Sequence, residues 1–317
     1  MSRLTFVLFG LFAFLVSTAQ TTKEEKSSSA FTIGGTFSIM GAQSGSKNWS
    51  QGAEKFSLAG VASLYLFANK SSGSNTFENS LDFAYGLVNT GSDGVRKIDD
   101  KFDLYSRYGH TLKGKLGLGV VANLRTQFSN GYDYTETPQK RISGFFAPAF
   151  ATFSPGLQWK PVTGLAMHLG PAVRWIIITN NPYSLNYQGA VKPDGSTERT
   201  LASLYDVKPS RQVRIETGPY LSTTFQKEIM KNVSYRGRLD LLLDVLNEIP
   251  KQNNSQWDTN VDVYLTNNFM MSVNKWLKVN YSLDIVYDDN VKMFGRDKKD
   301  AAIQLKSILG LGIAASF

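Results

Sequence analysis

The sequence predicts an all-β fold: one transmembrane antiparallel β-barrel of about twelve strands, spanning residues 31–317. Three observations carry that expectation. Apolar and polar side chains alternate with a period of two along most of the chain. The links between alternating segments are long and short by turns. Beyond the N-terminal region, no stretch is long and apolar enough for a membrane helix.

The chain opens with "MSRL" and the apolar core "TFVLFGLFAFLV", followed by the small residues Ser17 and Ala19. This pattern reads as a signal peptide over residues 1–19, cleaved before Gln20, since a single membrane anchor needs roughly twenty apolar residues. The mature chain is then exported. Residues 20–30, which include "TTKEEKSSSA", lack periodicity and read as a polar lead-in. Cysteine is absent, which excludes disulfides, thiol chemistry, cysteine metal sites and lipid attachment at a cysteine.

Strands near 31–42 and 53–68 carry glycine, alanine and phenylalanine on both parities, and so does the segment 142–158. The others are cleaner. Leu116, Leu118, Val120, Ala122 and Leu124 oppose Asn123, Arg125 and Gln127. Val213, Ile215, Leu221 and Phe225 oppose Arg214, Glu216, Ser222 and Thr224. Leu239, Leu241, Leu243 and Val245 oppose Arg236, Arg238, Asp240 and Asp244. Leu277, Val279, Tyr281, Leu283 and Ile285 face away from Lys278, Asn280, Ser282 and Asp284. The final "QLKSILGLGIAASF" sets Leu305, Leu309, Leu311, Ile313 and Phe317 against Lys306, Gly310, Gly312 and Ala314. One parity meets lipid and the other the lumen.

The odd-numbered links are long: "GSKNWSQG", "TGSDGVRKIDD", "SNGYDYTETPQKR", a stretch over 179–210, "NEIPKQNNSQ" and "NVKMFGRDKKD". The even-numbered links "NKSSGSN", "TLKGK", "KPVTG", "KEIMKN" and "SVNK" are short. Sorting of this kind marks an outer-membrane barrel with short periplasmic turns, and closure leaves no unpaired backbone edge in lipid. Residues 179–210 are expected to form the longest extracellular loop, open to protease.

With the apolar parity outward, the inward cations are Lys101, Arg107, Arg125, Arg174, Arg214, Arg236, Arg238, Lys278 and Lys306. The inward anions are Glu78, Asp82, Asp103, Glu216, Asp240, Asp244, Asp258, Asp262 and Asp284. Equal lists predict a near-neutral lumen crossed by ion pairs, either packed or pierced by a narrow path. The formal net charge of +8 then lies outside it. Lys70, Lys113, Lys115, Lys160, Lys227, Lys231 and Lys275 sit in the short turns, where each can meet lipid phosphates for about 1 kcal/mol. The long loops hold no basic patch with interleaved aromatics, which argues against nucleic acid.

Catalytic signals are weak. His168 points inward, and His110 lies beside a short turn, so neither matches a nucleophile with an adjacent base on the outer rim, as a barrel lipase would have. Asp99–Asp100 and Asp288–Asp289 read as solvated rim charges on opposite walls, so no metal or other cofactor is expected. The glycines of "LGLGVV" and "LGLGIA" fall within strands and make no phosphate loop.

The stretches "NWSQGAEKFSL", "NSLDFAYGLVNTGSDGVRKIDDKFDLYSRYGH", "RTQFSNGYDY", "ISGFFAPAF", "VNKWLKVNYSLDIVYDD" and "QLKSILGLG" are similar to a Bacteroidota family of exported proteins known as a domain of unknown function (DUF3078-like). The likeness departs at Ala53, where the family usually has a second glycine. It implies an outer-membrane β-barrel and transfers no activity. The last strand ending in Phe317 also resembles the C-terminal signal that barrel-insertion machinery reads. The functional expectation is a non-enzymatic barrel in contact with outer-membrane lipid, acting as a narrow solute channel. The alternative is a scaffold subunit that binds a partner within a membrane complex.

Overall fold

The computed structural model describes residues 31–46, 56–134, 139–179, 195, 200–208, 211–246, 261–291, 293–294 and 301–317. The expected signal peptide, the lead-in, Ala53 and Asp258 lie outside the described residues. The strands are β1 (Thr32–Gly45), β2 (Phe56–Ser72), β3 (Asn75–Thr90), β4 (Gly94–Lys113), β5 (Leu116–Thr126), β6 (Gly131–Asp133), β7 (Lys140–Ser143), β8 (Ala149–Trp159) and β9 (Leu165–Ile177). After the short helix α1 (Leu201–Leu204) come β10 (Val213–Met230), β11 (Val233–Leu243), β12 (Val261–Ser272), β13 (Leu277–Tyr287) and β14 (Gln304–Ser316).

Twelve of these strands close an antiparallel barrel in chain order, with β5 beside β8 and β14 beside β1. The seam pairs Thr36 with Ser316 through Gly41 with Leu311. One step beyond, Gly35 N–H donates to Phe317 O at 2.9 Å and Phe317 N–H donates to Gly35 O at 3.0 Å.

The period of two turns into two different surfaces. On β14, Leu305, Leu309, Leu311 and Ile313 are exposed, while Gly310 and Ala314 are buried. Ile39, Leu104, Leu118, Leu157, Leu169 and Ile215 continue the exposed apolar face around the wall. An apolar belt on this scale is what a barrel presents to hydrocarbon, and the closed ring satisfies the backbone within it.

The short links are 73–74, 114–115, 160–164, 231–232 and 273–276, all at one end of the barrel. One expected long loop is corrected. Most of "TGSDGVRKIDD" belongs to β4, which pairs with β3 out to Thr90↔Gly94. The hairpin turns tightly because Gly94 takes φ +72° and Thr90 Oγ1 accepts from Asp93 N–H at 3.2 Å. The ambiguous segment 142–158 divides into β7 and β8, and β6–β7 forms a separate hairpin within the third long link.

The fourth long link is not wholly an open loop. Thr200 caps α1 by accepting from Ser203 N–H at 3.1 Å. Leu201, Ala202, Leu204 and Val207 are buried against Ile176, Ile178 and Ala147 at the long-link end of the barrel. The Tyr205 hydroxyl donates to Ile142 O at 2.8 Å, and burial, with the Asp288 charge nearby, pushes this phenol up. Apolar side chains that sequence reasoning assigned to an extracellular loop therefore fold back onto the barrel mouth.

Candidate lumenal site

The inward residues of β4 and β11 meet across the lumen. Arg236 on β11 lies 3.0 Å from Asp82 on β3, six places away around the twelve-strand ring. Arg238 lies 2.5 Å from Asp103 and 3.1 Å from Asp240. Lys101 is 3.8 Å from Asp82. Aromatic faces line the same layer: Arg236 stacks 3.5 Å over Tyr65, and Arg125 stacks 3.7 Å over Tyr264. Nearer the long-link end, Arg174 bonds Glu216 through Nε at 2.7 Å and pairs with Asp262. Arg214 lies 2.6 Å from Asp206, 3.6 Å from Asp244 and 3.7 Å from Glu216. Lys306 meets Asp99 at 2.6 Å and Asp284 at 3.1 Å.

Nearly all of the inward set proposed from sequence is thus brought into ion pairs. Among the described residues two are not: Arg125 stacks on Tyr264 and Phe150, and Lys278 contacts Ser316 Oγ at 3.5 Å, near the short-turn end. Two further assignments are corrected. Asp99, Asp100 and Asp288 are not solvated rim charges. Asp99 pairs with Lys306, and Asp100 takes Lys97 at 2.9 Å together with the Phe128 and Ser129 amides. Asp288 is 5% exposed, and burial outweighs the attraction of Arg174 in pushing its carboxyl up. Lys160 does not simply face lipid, because it turns inward to Glu78 at 2.9 Å, beside Arg107.

One side of the lumen is packed. Tyr105, Val121, Ala172, Tyr220 and Leu242 form a buried apolar cluster on inward positions of β4, β5, β9, β10 and β11. Sequence reading missed it, because a count of inward charges passes over inward apolar residues such as Val121. His168 sits in this half with Nε2 2.9 Å from Ser154 Oγ. Both residues are fully buried, and His168 Nδ1 has no hydrogen-bond partner among the described residues. The pair is therefore closed off from solvent. His110 is exposed and bonds Asn75 Oδ1 at 2.8 Å. The carboxylates of Asp262, Asp288 and Asp289 lie within 4.8 Å of one another, but Arg174 already occupies Asp262.

The rest of the lumen is hollow. A cavity of about 880 Å3 reaches the short turns at Lys115 and Lys160–Leu165. A second, of about 210 Å3, runs along β1, β2 and β11–β14 and shares Asp82, Lys101 and Arg236 with the first. A third, of about 430 Å3, lies towards the long links and shares Lys101 and Asp284 with the second. Lys101 lines all three.

Among solved structures, the chain is similar to the translocator domain of the autotransporter NalP from Neisseria meningitidis, with 9% identity, a TM-score of 0.40, and 99% of this chain and 96% of that one covered. It is also similar to an outer membrane channel from Pseudomonas putida F1, with 11% identity, a TM-score of 0.38, and coverage of 94% and 100%. No curated protein matches the sequence. Residues 42–132, which run from the end of β1 through β4 and β5 into the β6 hairpin, match the family described as "Protein of unknown function (DUF3078)".

Proposed function

We propose that this protein is an outer-membrane barrel serving as a narrow, charged solute channel, with Lys101 at the tightest point of its path. One observation carries the reading: three cavities share lining residues in succession through the lumen, and Lys101 borders each. The exposed apolar belt and the sorting of short and long links support placement in an outer membrane with the short turns in the periplasm. Lipid and the barrel-insertion machinery are the partners this placement requires. The ion-paired layer makes the path closed at rest, since fixed charges of both signs meet across it.

Folded barrel in planar bilayers should show discrete single-channel openings, and Lys101→Ala should raise their conductance. A second reading, a non-conducting scaffold, is favoured by the buried cluster beneath α1 and the packed half of the lumen. Silence of correctly folded wild-type and Lys101→Ala barrels, with a membrane protein co-purifying in stoichiometric amount, would establish the scaffold instead.

A further inference from the structure

The lumen is not uniformly neutral along its axis. The cavity of about 880 Å3 at the short-turn end is bordered by six cations, Lys101, Arg107, Lys115, Lys160, Arg236 and Arg238. Among the described residues, three carboxylates face it, Glu78, Asp82 and Asp103. Asp240, just behind the wall, pairs with Arg238 as well, so four carboxylates offset six cations and a positive surplus remains. The pairing shows where the surplus arises. Glu78 is shared by Arg107 and Lys160, and Asp82 by Arg236 and Lys101. Lys115 at the mouth donates to the Pro161 carbonyl and has no carboxylate partner among the described residues. In the long-link cavity the surplus disappears: Asp100, Asp103, Asp262 and Asp284 face Lys101, Arg125, Arg174 and Lys306, beside Asp288, whose carboxyl is pushed up by burial.

From this asymmetry we infer that the short-turn vestibule is a binding site for a small anionic solute bearing phosphate or carboxylate groups. Its volume of about 880 Å3 lies in the range of small-molecule sites. The low-dielectric walls focus the field of the surplus cations at the mouth. Asn69, Asn79, Thr224 and Gln226 add neutral hydrogen-bonding groups beside them, suited to the hydroxyls of a polar anion. The inference rests on the barrel reading for the vestibule's accessibility, yet it needs no conductance.

Isothermal titration of the folded barrel in zwitterionic detergent, with inorganic pyrophosphate and with citrate, tests it. At low salt, saturable binding of one anion per barrel is expected, weakening as salt rises. Lys115→Gln and Lys160→Gln should each weaken it about fivefold, while Lys208→Gln, in the fourth long link, should not. Repeating the titration in phosphatidylglycerol nanodiscs separates the sources: if lipid headgroups fill the site, the free anions lose affinity there. Absence of saturable binding by either anion, or equal affinity in the Lys115→Gln/Lys160→Gln double variant, would overturn the inference. A barrel that binds but stays silent in bilayers keeps the vestibule and removes the channel. One that conducts but binds neither anion does the reverse.

Discussion

Arg238 on β11 and Asp103 on β4 face each other across the lumen, with Nη2 2.5 Å and Nη1 3.2 Å from the two carboxylate oxygens. The pair links strands five places apart in the ring and so ties opposite walls together. Both side chains are nearly buried, at 11% and 5% exposure, so the interaction is little screened.

Asp103→Ala should therefore strand a guanidinium with Asp240 as its remaining carboxylate. Urea titration in detergent should show a loss of about 3–5 kcal/mol. The triple variant Asp103→Leu/Arg238→Met/Asp240→Asn should recover most of it, because Asp240 also pairs with Arg238 and no charge of the trio is then left without its partner. An unchanged midpoint for Asp103→Ala would mean that water screens the layer.

Asp288, just beyond β13, provides a pH test. Its carboxyl is pushed up by burial, so the folded chain holds a proton that the unfolded chain releases. That contribution to stability is fully present below the ordinary carboxylate value of about 4, and is lost as pH rises through the folded value. Asp288→Asn should consequently be more stable than wild type at pH 8, with the difference closing as pH falls towards 4. Parallel urea curves across that range decide it, and a difference that widens at low pH contradicts it.

Phe317 joins the seam through its own backbone, and the residue is 43% exposed. Phe317→Ser should lower the amount of barrel in the outer membrane more than the stability of barrel already folded. Phe317→Tyr should be tolerated, because an aromatic body with a polar tip suits the interface. Fractionation of cells, set against urea midpoints of purified barrel, separates assembly from stability. Normal membrane levels of the Ser variant would rule out the assembly role.

Leu201 is fully buried beneath the fold-back of the fourth long link. Leu201→Ala should destabilise that cap by about 2–5 kcal/mol without unfolding the ring. Hydrogen exchange at the Leu204 and Val207 amides, which donate to Thr200 O and Ala202 O, should accelerate sharply. Exchange at the β10–β11 ladder should not change. Equal acceleration in both would mean that the cap and the ring unfold together.

The ring was legible because alternation and link length both repeat, and each strand's register on its neighbour follows from which face is apolar. Leu309 and Lys306 on β14 illustrate it, one exposed and one paired inside. Partners across the lumen were not legible. No local rule sets Arg236 opposite Asp82, since that distance depends on ring size and strand tilt together. The cap was missed for a different reason. Leu201, Leu204 and Val207 form no long periodic run, and a short apolar segment in a link carries too little pattern to reveal what covers it. Lys160 was misread because a turn lysine has the reach to fold back into the lumen.

Six register pairs seal β1 to β14, whereas fourteen bind β1 to β2. Beyond Gly41 on one strand and before Leu311 on the other, each pairs only with its other neighbour. The hoop accordingly has one weak joint, unzipped on its long-link half. Among the described residues, the edges Ala42–Gly45 and Gln304–Gly310 share no register pair with each other. Thermal breathing of the wall should start at that slit and run towards Phe317, making the seam both the last part of the cylinder to close and the first to part.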